Sequence, residues 1–511
     1  MTTTPSAHPP APSDLETRPR HVKRWIDSLP LDVTFESGRA LRRHLVGVNS
    51  VALDASTRTE ILEAHRAAVS KLLPTLEGMY ASAPLPLGPG PRAALGLARE
   101  LLTELSLGYR IAVKDSSGKL LSSKRQLATL LQRAAQLSAA RLVAAYKSYT
   151  PVATGTWGEL HDLYLRADEL GIARDAMEGE KTSLLDLYCE VLLLSLTDPY
   201  RLGQGETERV LHMIRTHGGL AHLGRYRPTT PPGGHFIVPC NTDKPPKPSI
   251  GKLDDTGGPD WRLLDTTALV QQLRSKGSAA DSRSTATKRP ESARAELVDK
   301  LVRLWGDPPK RTSRRDASQA TVAISMGLDG VGHFVTLEPK IDLARQDEQL
   351  RRGITMPMAP LPLDDQSEPI PVFEWDVVNQ SKGGLRVRRI GRTEQPIAVG
   401  EIAGIKLPGK AHWAIGAVRW VTVFEDGGME FGLQYLAHMA RAVTVAAWGA
   451  PSGHGLLIED DQGKPNLITS PNAFSHLHEI EIDDRGDSVV VKPADVVEVT
   501  HRFELFNVTA P

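Results

Sequence analysis

The sequence predicts a multidomain α + β protein: an N-terminal α-helical bundle, then a C-terminal antiparallel β-barrel with further strands. Three observations predict it. At 511 residues the chain is too long for one core. Up to residue 226, apolar residues recur at helical spacing, and from Ala320 onward they alternate in short runs punctuated by glycine. Between these halves lie stretches rich in Pro, Gly and Ser.

Composition narrows the function classes. Charged residues are 24% of the chain and the formal net charge is zero. No global field favours nucleic acid or an anionic membrane, so an anionic ligand must be met by a local cluster. Cys189 and Cys240 are far apart in sequence, which supports neither a disulfide framework nor a cysteine zinc site and fits a reducing cytoplasm. Met1–Arg20 lacks the apolar core of an export signal. Leu184–Leu196 is too short to span a bilayer and is interrupted by Asp186 and Glu190. The expectation is a cytoplasmic protein without a membrane span.

Taken in order, residues 1–19 read as a disordered tail. Residues 20–226 read as the helical domain. Thr57-Arg58-Thr59-Glu60 has capping-box spacing, and Ile61, Leu62, His65, Val69 and Leu72 then share one face. Pro74 signals a kink or a stop. Residues 227–305 read as a connector, with a strand at His235–Val238, a helix at Thr266–Leu273, a flexible linker over 274–292 and a short helix at Ala293–Leu304. Residues 306–450 read as the barrel, with an insertion over 326–370. Residues 451–511 are a further β extension that either forms a second module or completes the first.

Most candidate chemistry is thin. Gly179-Glu180-Lys181-Thr182 lacks the upstream glycine and strand of a P-loop and reads as a helix start. His476 and His478 would share a strand face, yet no third metal ligand is identifiable. No nucleophile elbow or Cys–His signature is apparent. The reading is therefore not an enzyme, with no cofactor and no metal.

The informative stretch is Asn379-Gln380-Ser381-Lys382-Gly383-Gly384, between two strand-like runs. Phe373, Trp375 and Val377 alternate before it, and Leu385 and Val387 after it. Asn379 and Ser381 place two short polar side chains at the end of the incoming strand. Gly384 lets a backbone or a ligand approach closely. Upstream, Arg311-Thr312-Ser313-Arg314-Arg315 puts two arginines four apart, just before a strand-like run at Ala320–Ser325. Arg351 and Arg352 lie nearer to Asn379 but lack that spacing. Lys382 and Arg386 add charge beside the turn, where exposed basic residues usually do nothing specific.

The pattern Asn-x-Ser-x-x-Gly on a strand–turn–strand, with Arg-x-x-x-Arg upstream, resembles the PilZ domain, a bacterial receptor for cyclic di-GMP. The resemblance covers residues 306–440. It implies a six-stranded antiparallel barrel with the ligand held by Arg311, Arg314, Arg315, Asn379, Ser381 and Gly384. It further implies signal reception rather than catalysis, with no DNA or RNA partner. A protein partner is expected through the helical domain, with biofilm, motility or pili as output. The alternative is a PilZ-like barrel without ligand, acting as an interaction scaffold.

Overall fold

The computed structural model describes residues 15–117, 123–176, 182–227, 233–249, 258–280, 288–307, 314–337, 370–447, 450–460 and 462–510. The chain forms two compact units, Met1–Arg311 and Thr312–Pro511. As the sequence predicts, helices come first and antiparallel barrels follow. Among the described residues, no helix is long and apolar enough to cross a membrane.

The first unit opens with α1 (Pro19–Asp27), α2 (Thr34–Ser50), α3 (Ala55–Tyr80), α4 (Pro89–Ser117) and α5 (Lys124–Lys147). It continues with α6 (Thr156–Glu169), α7 (Leu184–Ser195) and α8 (Glu206–His217). Ile61, Leu62, Val69 and Leu72 bury the predicted face of α3. The cap of α3 lies earlier than the Thr57–Glu60 spacing suggests. The Asp54 carboxylate accepts from the Ser56 and Thr57 amides at 3.1 and 3.0 Å, so the first turn is satisfied before Thr57 is reached. Pro74 lies inside α3, which runs on to Tyr80. The capping box belongs to α7: Ser183 Oγ accepts from the Asp186 amide, and Asp186 accepts from the Ser183 amide. Gly179, Glu180 and Lys181 lie outside the described residues.

Residues 222–306 carry a four-stranded antiparallel sheet, β1 (His222–Arg225), β2 (His235–Pro239), β3 (Lys247–Pro248) and β4 (Trp261–Asp265), in the order β1-β4-β2-β3. Two helices follow, α9 (Thr267–Ala280) and α10 (Lys288–Gly306). Residues 274–280 and 288–292, expected in a flexible linker, are helical. Their Ala, Lys and Arg content favours helix as much as it resembles a linker. This region packs on the helices. Trp305 Nε1 donates to the Leu193 carbonyl at 3.0 Å, and Arg262 pairs with Asp168 at 3.0 Å.

The second unit begins with β5 (Asp316–Ala317) and β6 (Thr321–Met326), then α11 (Leu328–Thr336). Next come β7 (Phe373–Ser381), β8 (Gly384–Arg389), β9 (Ile402–Lys406), β10 (Ala414–Val423) and β11 (Met429–Ala437). The pairings β6–β7, β7–β8, β8–β11, β11–β10, β10–β9 and β9–β6 close a barrel, and β5 extends β6 along β7. Trp375, Val377, Val387, Phe431 and Leu433 fill its core, with the Trp375 and Phe431 rings edge-on at 4.7 Å.

A second closed barrel follows: β12 (Arg441–Ala447), β13 (Ala450–Glu459), β14 (Pro465–Thr469), β15 (Ile480–Asp484), β16 (Asp487–Val499) and β17 (Glu504–Thr509). Sequence left open whether this stretch completes the first barrel. It forms its own, and with the same connectivity. With β6 counted as the first strand of one barrel and β12 of the other, both pair in the cyclic order first–second–third–sixth–fifth–fourth. Val331 and Val335 of α11 pack with Ile402 and Ile415 of the first barrel and with Leu456, Ile468 and Phe503 of the second, so one apolar core joins the two. At the same seam, Arg419 forks onto Glu498, Thr500 Oγ1 donates to the Gly400 carbonyl at 3.0 Å, and Arg502 reaches Glu401 at 3.4 Å. Burial pushes the Glu401 carboxyl up, against the pull of Arg502.

Candidate functional site

The Asn379–Gly384 stretch forms the predicted strand–turn–strand: β7 ends at Ser381, Lys382 and Gly383 make the turn, and β8 starts at Gly384. One detail departs from simple alternation. A strict period of two would carry Asn379 onto the core face with Trp375 and Val377. A bulge between Val377 and Asn379 adds one residue, Val378, and reverses the phase. Val377 stays opposite the buried Val387, while Asn379 sits opposite Arg386. Arg386 lies between buried Leu385 and Val387, so Asn379 faces outward with it.

That outward row continues around the barrel. Ala317 pairs with Asn379, Asn379 with Arg386, Arg386 with Gly432, and Gly432 with Trp420. A Cβ at Gly432 would run into the Trp420 indole, which therefore occupies the space over that glycine. The Arg386 guanidinium stands over the Trp420 ring, 5.7 Å from its centroid. Its Nε and Nη2 donate to the two Glu430 oxygens at 2.8 and 2.7 Å. The Glu430 side chain is 7% exposed.

β5 brings Arg314 and Arg315 here. Asp316 pairs with Gln380 and Ala317 with Asn379, so Arg314 and Arg315 enter immediately beside the end of β7. Both are exposed; Arg314 Nε is 3.6 Å from Asp316 Oδ1. Arg311, Arg351 and Arg352 lie outside the described residues, as does most of the 326–370 insertion. Ser381 is half-buried, and its hydroxyl reaches the Gly384 carbonyl only at 3.4 Å. Gly384 has a structural reason of its own: a Cβ there would collide with the Leu433 carbonyl on β11. The close approach is made by backbone.

Sequence reasoning passed over Glu430 and Trp420, and it discounted Arg386. The available signal was the alternation Leu385-Arg386-Val387-Arg388, which puts both arginines on the outer face.

The second barrel offers a comparison at the equivalent turn, between β13 and β14. There the Asp460 carboxylate accepts from the Gln462 and Lys464 amides, both at 2.8 Å. That acidic turn closes on itself.

The comparisons agree with this architecture. The family model described as the N-terminal domain of the cyclic-di-GMP receptor FimW matches residues 20–229. The model described as the middle PilZ domain of the same receptor matches residues 235–352 and 343–442. The Cyclic-di-GMP receptor FimW of Pseudomonas aeruginosa is 24% identical over 479 residues, which is 83% of this chain and 78% of that protein. No solved structure matches. With both models matching in chain order from residue 20 to residue 442, the chain belongs to the FimW family and carries its N-terminal domain and its middle PilZ domain.

Proposed function

We propose that the first barrel is a receptor for cyclic di-GMP, held between the segment Arg311–Arg315 and the outward row that starts at Asn379. The observation that supports this is the β5–β7 pairing, which brings the chain in at Arg314 and Arg315 beside the Asn379–Ser381 strand end. The name of the Pseudomonas aeruginosa relative supports the ligand.

The chemistry is complementary. Cyclic di-GMP presents two phosphates and two guanine edges. Arginines can fork onto phosphate or onto guanine O6 and N7. The Asn379 carbonyl can accept from a guanine N–H, and the Trp420 ring offers a stacking face. Binding needs no bond-making step, so the reading is reception rather than catalysis. Ligand would draw the arginine segment onto the barrel and so alter how the helical domain meets a protein partner. Both cysteines are buried free thiols, which fits a reducing cytoplasm.

A ligand-free scaffold is the second reading, and one observation favours it. The second barrel repeats the topology with a turn whose amides its own Asp460 engages, so the fold does not depend on the Asn-x-Ser-x-x-Gly turn. Calorimetric titration separates the two. The receptor reading expects saturable binding of cyclic di-GMP. Arg311→Ala, Arg315→Ala and Asn379→Ala should each weaken it about tenfold to hundredfold, the equivalent of ~1.5–3 kcal/mol per charge-assisted contact. No heat and no thermal shift with cyclic di-GMP would leave the scaffold.

A further inference from the structure

We propose that Arg386 reads the guanine base and selects it over adenine; this rests on the receptor reading given above. Four observations converge on it.

The first is position. Arg386 is the direct cross-strand neighbour of Asn379 and shares its outward face. The second is charge. The carboxylate that Arg386 grips belongs to Glu430, which is buried. The pair is close to neutral as a unit, so an approaching phosphate would meet the repulsion of Glu430 as well as the pull of Arg386. A neutral base edge meets no such opposition. The exposed Arg314 and Arg315 suit the phosphates better.

The third is the donor inventory. Glu430 engages Nε–H and one hydrogen on Nη2. The two hydrogens on Nη1 and the second on Nη2 remain, and that Nη2 hydrogen forms a parallel fork with one of the Nη1 pair. Guanine offers O6 and N7 as paired acceptors to such a fork. Adenine places an amino donor where guanine has O6, so donor would face donor. The fourth is rigidity. Glu430 holds one edge of the guanidinium, its central carbon stands over the Trp420 ring, and the Trp420 indole is itself seated against Gly432. A fork fixed before the ligand arrives discriminates without losing further side-chain freedom.

The test is titration of the full chain with cyclic di-GMP and cyclic di-AMP, with thermal unfolding as a folding control. The wild type should prefer cyclic di-GMP. Arg386→Lys keeps the charge and removes the fork. It should lower cyclic di-GMP affinity about tenfold to hundredfold and leave cyclic di-AMP binding unchanged, so the preference collapses. Glu430→Gln keeps the shape near Arg386 but leaves its charge unbalanced. It should reduce the preference while making binding of both nucleotides more salt-dependent. Two results overturn the proposal alone: R386K with the wild-type preference, or R386K that weakens both nucleotides equally, which would make Arg386 a simple charge. Wild-type protein that binds neither nucleotide overturns the receptor reading and this proposal together.

Discussion

Asn379 faces Arg386 across the β7–β8 pair because a single extra residue, Val378, reverses the phase of β7. Deleting Val378 should remove the bulge and leave Asn379 directly after Val377 in a regular ladder, still opposite Arg386 and facing outward. We expect the deletion to retain cyclic di-GMP binding and a folded barrel, since Asn379 keeps its outward face and no polar group enters the core. Calorimetry and thermal unfolding of the deletion variant check this; lost binding in a folded variant would show that the outward phase of Asn379 is not what the bulge supplies.

The glycine and the serine of the turn should behave differently. Gly384→Ala should destabilise the barrel by ~2 kcal/mol or more, because the new Cβ meets the Leu433 carbonyl rather than a flexible side chain. Ser381→Ala should change stability by less than ~0.5 kcal/mol, since the hydroxyl contact is long. Its effect should show only in ligand affinity. Chemical unfolding of the two variants side by side distinguishes these outcomes.

In the second barrel, Glu504 should be indispensable for folding. Its buried carboxylate accepts from the amides of Asn472, Ala473, Phe474 and Ser475 at 2.8 to 3.2 Å, and from the hydroxyls of Thr469 and Ser475. Glu504→Leu would leave buried donors without an acceptor, at a cost of ~3 kcal/mol or more. Limited proteolysis should then cut first within residues 470–478. A variant as resistant as the wild type would show that this clasp is dispensable.

The helical unit carries a pH-sensitive group. His65 is fully buried in α3, donates from Nδ1 to the Ile61 carbonyl at 2.8 Å, and meets His44 Nδ1 with its Nε2 at 3.1 Å. Burial pushes its imidazole down to about 4, while the unfolded chain takes its proton near the ordinary value of ~6.5. Between those values the unfolded state binds more protons. Stability is therefore complete above ~6.5 and falls as pH drops toward 4, by ~2–3 kcal/mol across the window. Hydrogen exchange in α2 and α3 should accelerate on acidification in the wild type, after correction for intrinsic rates. The acceleration should be smaller in His65→Leu.

Much of the architecture was legible because periodicity is a local signal. Ile61, Leu62, Val69 and Leu72 announce α3, and Trp375, Val377, Leu385 and Val387 announce the β7–β8 pair. The turn motif was legible for the same reason, as it is contiguous. Three features were not. The Val378 bulge leaves no mark in a run of β-branched residues. The Glu430–Arg386–Trp420 arrangement joins residues 34 and 44 positions from Arg386 through strand order, which composition does not encode. Residues 274–280 and 288–292 mislead because Ala, Lys, Arg and Ser serve a linker and a helix alike.

In the receptor reading, ligand joins the arginine segment to the Asn379 face of the first barrel. Hydrogen exchange with and without cyclic di-GMP tests it most directly. Protection should increase in two places at once, over residues 306–318 and around residues 379–384. Protection confined to residues 379–384, with 306–318 exchanging equally fast in both states, would contradict it.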